Sequence, residues 1–136
     1  MKNIAETLRD EGQLKTLWEA IEKAHIEEVF EEKGPYTIFA PTNDAFNKIS
    51  SEELNELLND PEELVNTLKY HVVPGKYTSK DVAKMEKATS MSGEDVYVDT
   101  SKGVRVNESK IIKTDIEGTN GIIHFIDTPL TPKHHK

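Results

Sequence analysis

The sequence predicts an α+β fold in one domain, residues 1–132, with the helices mainly in the N-terminal half. Three observations carry this. Up to Tyr70, apolar residues recur mostly at helical spacing behind residues that cap helices. From Lys87 onward, short β-rich runs alternate with turn signals. Helices first and antiparallel strands afterwards point to α+β and away from a βαβ repeat. A chain of 136 residues suits one domain. At that length roughly 65–70% of the unfolded surface is hidden, so no metal or disulfide staple is required.

The elements follow in order. Asn3 with Glu6 is a capping-box start, and Gly12 suits the stop. Leu14, Leu17, Trp18 and Ile21 then give an amphipathic helix to about Ala24. A short acidic segment with Val29 and Phe30 is broken by Gly34-Pro35. Tyr36 to Ala40 is β-rich and short enough for a buried strand. After it, Thr42-Asn43-Asp44 caps a helix burying Ala45, Phe46 and Ile49. Ser50 with Glu53, and Asp60-Pro61 with Glu63, start two more helices. His71-Val72-Val73 is strand-like and ends at Pro74-Gly75, and Thr78 to Met85 holds one short helix. The strand candidates are then Val96 to Val98, Val104 to Val106 beyond Gly103, Ile111-Ile112, and Ile122 to Ile126 behind an Asn120-Gly121 turn.

Composition excludes several function classes. Seventeen Lys and Arg against 25 Asp and Glu leave a formal charge of −8, with no basic cluster, which repels phosphate backbones and argues against nucleic acid. No apolar run approaches the roughly 20 residues of a membrane span. Without cysteine there are no disulfides, thiolate metal sites or thiol nucleophiles. The chain has no GxSxG elbow, Walker loop, GxGxxG or HExxH, so no catalytic residue, cofactor or metal ligand is assigned. Glu27-Glu28 and Glu31-Glu32 read as a solvated helix face, since a calcium loop needs donors at loop spacing with a glycine. No signal peptide precedes the domain, which points to a cytosolic protein or to a mature form with an added Met. Residues 133–136 read as a short tail, native or added.

Three segments, in order, resemble the fasciclin-like domain family. They are Gly34-Pro35-Tyr36-Thr37-Ile38-Phe39-Ala40-Pro41-Thr42-Asn43-Asp44-Ala45-Phe46, Leu68-Lys69-Tyr70-His71-Val72-Val73-Pro74-Gly75-Lys76-Tyr77, and Asn120-Gly121-Ile122-Ile123-His124-Phe125-Ile126-Asp127. The resemblance implies a wedge-shaped β-sandwich with helices packed around it. It also implies a non-enzymatic, extracellular or cell-surface module that contacts a protein or glycan. A cytosolic protein–protein interaction domain is the alternative, and a small hydrolase ranks below it. A monomer is favoured. The family often places an adhesive acidic-Asp-Ile/Leu loop before its last signature. Here that position reads Lys113-Thr114-Asp115-Ile116-Glu117, which keeps Asp115-Ile116 with different flanks.

The candidate contact residues are therefore Asp115, Ile116, Tyr70 and His71. Each has a structural counterpart: Ile116 in the core with Asp115 capping a turn, and Tyr70-His71 locking a helix-to-strand junction. The structural signature residues are Thr42, Asp44, His71, Asn120, Gly121 and His124. Thr42 and Asp44 are read as cap residues. His124 is read as a ring held by backbone groups, because no second ligand or carboxylate stands at a useful spacing. A buried neutral His71 or His124 would make stability fall with acid. Asn107-Glu108-Ser109 is a formal glycosylation sequon.

Overall fold

The computed structural model describes residues 3–31, 34–48, 50–100, 104–106 and 109–128, with Ser79 and Asp115 described by backbone alone. Glu32, Ile49, Gly103, Asn107, Glu108 and residues 133–136, named above, lie outside the described residues.

The helices begin where side-chain oxygens meet the unpaired N–H groups of a first turn. Helix α1 (Ile4–Asp10) opens with both arms of the box: Asn3 Oδ1 accepts from Glu6 N at 2.8 Å, and Glu6 accepts from Asn3 N at 3.0 Å. It stops at Glu11, before Gly12, which instead opens a 3-10 turn, Gly12–Leu14. That junction is gripped from a distance: Asn43 donates to the Gly12 carbonyl at 2.8 Å and accepts from Thr16 N at 2.9 Å. Helix α2 (Lys15–Ala24) ends in a left-handed His25, φ 58°, a stop with no glycine to announce it. A 3-10 turn, Glu27–Phe30, leads to strand β1 (Tyr36–Pro41). Thr42 caps α3 (Asn43–Phe46), Ser50 caps α4 (Ser51–Asn59), and Asp60 caps α5 (Pro61–Tyr70) with Pro61 in its first turn. Strand β2 (Val72–Pro74) follows, then α6 (Ser79–Ala83) behind a Thr78–Asp81 capping box.

The remaining strands are β3 (Lys87–Thr89), β4 (Asp95–Asp99), β5 (Arg105–Val106), β6 (Ser109–Gly118) and β7 (Gly121–Ile126). They line up as β2-β1-β7-β6-β5-β4-β3. The expectation of antiparallel strands needs one correction: β1 runs parallel to β7, Tyr36 opposite Gly121 through Pro41 opposite Ile126. A parallel pair needs a long crossover, and the roughly 80 residues between Pro41 and Gly121 supply it.

Strand β6 is the bend in this order. Its start, Ser109 and Lys110, pairs with β5, while Ile111 to Gly118 pairs with β7 through two register shifts. Bulges of this kind kink a strand and raise its twist. Two cores result. One lies between the helices and one face of β1 and β7, built from residues such as Leu8, Leu17, Ile21, Ile38, Ile123 and Phe125. The other fills the inside of the bend, where Phe39, Val73 and Ile126 meet Val96 and Val106 from the far arm. The wedge-shaped sandwich is thus one mixed, unclosed sheet folded about β6, with helices on its back.

Candidate functional site

Tyr70 and His71 occupy the end of α5, where the last carbonyls lack intrahelical partners. Tyr70 is 0% exposed and crosses the second core to donate its hydroxyl to the Asp95 carbonyl at 2.7 Å. This bond joins the two arms of the wedge, as does Met91 N donating to the Val72 carbonyl at 2.7 Å. His71 is 2% exposed and turns back, its Nδ1–H donating to the Thr67 carbonyl at 2.7 Å. Its own carbonyl accepts from Phe39 N at 2.9 Å, tying helix to strand. Burial lowers the His71 pKa from 6.5 to about 4, with the Thr67 bond opposing the shift. Neither ring reaches the surface, so the candidacy of Tyr70 and His71 as direct contacts is corrected: their side chains are spent on the junction.

His124 lies opposite Phe39 in the parallel pair, on the second-core side, and the two rings stack at 5.9 Å. Its Nε2–H donates to the Tyr77 carbonyl at 2.8 Å, fixing the segment after β2 against the sheet. Thr42 Oγ1 accepts from Ala45 N at 3.2 Å, whereas Asp44 stands exposed in the first turn of α3.

Asn120 and Gly121 differ from the turn the sequence suggests. The residues that reverse the chain are Thr119 and Asn120, between Gly118 and Gly121, and Gly121 already belongs to β7. Its φ is not left-handed; what it needs is room, because a Cβ there would strike the Tyr36 carbonyl oxygen. Asn120 is a three-way tie. Its Oδ1 accepts from Ile4 N at 2.8 Å, its Nδ2 donates to the Phe30 carbonyl at 3.0 Å, and its carbonyl accepts from Tyr36 N at 3.1 Å.

Asp115 and Ile116 are in β6, not in a turn, within the second register shift. Ile116 is partly buried against the first core. The flanks engage their own chain: Lys113 Nζ lies 5.4 Å from the centre of the Phe125 ring, and Glu117 pairs with Lys76 at 3.0 Å. Sequence reasoning passed over two exposed residues. Ile112 and Tyr97 are the exposed large apolar residues among those described, at 52% and 49%. Alternation could have found them: one of Ile111-Ile112 must face out, as must the middle of Val96-Tyr97-Val98. Among the described residues no three His, Asp or Glu side chains converge as a metal site, and no helix is long and apolar enough to cross a membrane.

Comparison with known proteins follows the same lines. The fasciclin domain family model matches residues 12–132. The chain is 36% identical over 127 residues to an uncharacterized protein of Synechocystis sp., covering 93% of this chain and 96% of that one. It is 34% identical over 137 residues to the transforming growth factor-beta-induced protein ig-h3 of Sus scrofa, where it spans all of this chain and 20% of that protein. A solved FAS1 domain pair from the insect cell adhesion molecule fasciclin I shares the fold at a TM-score of 0.77 and 20% identity, over 95% of this chain and 50% of that one. With this match, and with the bent sheet and helical back described above, the chain belongs to the fasciclin domain family.

Proposed function

We propose that the chain is a non-enzymatic contact module working outside the cell or at its surface, where it holds a protein or glycan through the outer side of β6. The observation that carries this is Ile112, half exposed on the strand that then bulges at Asp115. An outward apolar side chain beside a bulge offers a partner an anchor and an irregular backbone together. Family membership supports the reading, and so does the fold's solved relative, which comes from a cell adhesion molecule. The polar residues that would suggest chemistry, Tyr70, His71, Asn120 and His124, are engaged in backbone hydrogen bonds inside the fold.

Attachment of cells to surfaces coated with the domain tests it. Ile112→Ser and Asp115→Ala should each weaken attachment about tenfold, or about 1.4 kcal/mol, with the melting temperature unchanged. Ile116→Ala should lower stability as well, because its side chain packs on the first core. Attachment unchanged in the Ile112→Ser/Asp115→Ala double variant would reject the reading.

A further inference from the structure

Helix α4 is the one long helix among those described that buries none of its residues, although Leu54, Leu57 and Leu58 all turn toward the first core. Burying a leucine fully is favourable, so three leucines that face the core yet stay partly exposed mark space that the fold keeps open. That space is a pocket of about 130 Å³ between α2, α4 and α5. Small side chains make it: Ala20 on α2 and Thr67 on α5 stand where a leucine would close the gap, while Leu64 and Leu68 form the floor.

We propose that this pocket binds a small uncharged apolar molecule, a single aromatic ring or a short branched alkyl chain. Volume sets the size, since an enclosed apolar cavity of about 150 Å³ admits one benzene ring and drug-sized ligands need about 300 Å³ or more. The walls set the polarity. They are almost entirely carbon, and a water molecule needs two to four polar partners to be held. His71 also lines the pocket, yet its Nδ1–H is already given to Thr67. The mouth sets the charge: Glu19 and Lys23 stand one turn apart on α2 with opposite signs, so it favours neither anion nor cation. Burying a charge in such walls would be opposed far more strongly than burying a ring. The site lies on the helical back of the fold and does not depend on the adhesive reading of β6.

Titration of the methyl-labelled protein with toluene, followed by NMR, tests the proposal. Saturable shifts are expected at the methyls of Leu54, Leu57, Leu64 and Leu68, with Val96 and Ile126 of the second core unmoved. Benzoate, the charged counterpart, should bind at least about tenfold more weakly. Ala20→Leu fills the pocket from α2 and should abolish the shifts. Leu57→Phe fills it from the partly exposed α4 and decides the matter should Ala20→Leu fail to fold. Shifts that do not saturate, that spread over both cores, or that persist in a folded filling variant would overturn it.

Discussion

Removing the His71 ring from water leaves it neutral in the folded protein at pH 7, because burial lowers its pKa from 6.5 to about 4. The unfolded chain takes up a proton near pH 6.5 and the folded one does so only near 4, so between those values the unfolded state binds more protons. The contribution to stability is complete above pH 6.5 and is lost progressively as pH falls toward 4. Over that window it amounts to about 3 kcal/mol. Urea unfolding at pH 7, 6, 5 and 4 should show this decline. His71→Gln, which cannot be protonated, should give a profile flatter by about that amount. An equal decline in both proteins would assign the acid sensitivity to carboxylates instead.

At the level of elements, the contact between β1 and β7 depends on one missing side chain. Gly121→Ala would drive a Cβ against the Tyr36 backbone, and backbone cannot rotate aside as a side chain can. The two strands must part, at a cost of about 2–3 kcal/mol measured by chemical denaturation. The same glycine shows what was legible beforehand. The caps Asn3, Thr42, Ser50 and Asp60 could be read because cap and first turn are neighbours in sequence. Fold class and family could be read because ordered motifs and apolar spacing survive in one dimension. The parallel partner of β1 could not, since nothing near Tyr36 refers to Gly121. Nor could the full length of β6, Ser109 to Gly118, because its register shifts interrupt the alternation that marks a strand. The surface at the candidate site was the least legible part. Tyr70 and His71 read as contact candidates and Ile112 did not, and packing across the wedge reverses their places.

For the molecule as a whole, β7 is shared by everything. All six of its residues are buried, Ile123 and Phe125 facing the helical core while His124 and Ile126 face the other. A chain ending at Gly118 would therefore lose one wall of both cores and the partner of both β1 and β6 at once. It should show no cooperative thermal transition by circular dichroism, since stability of about 5–15 kcal/mol cannot absorb such a loss. Cooperative melting of that truncated chain would mean that the two cores are independent.

The parallel pairing of β1 with β7 also sets a schedule for synthesis. About 85 residues separate Pro41 from Ile126, and at roughly 5–20 residues per second the first strand waits roughly 4–17 s for its neighbour. During that interval β1 offers an apolar edge to any other chain nearby. The cell meets this protein first as an unfinished sheet, so the yield of folded molecules depends on what shields Tyr36 to Pro41 until the last strand arrives.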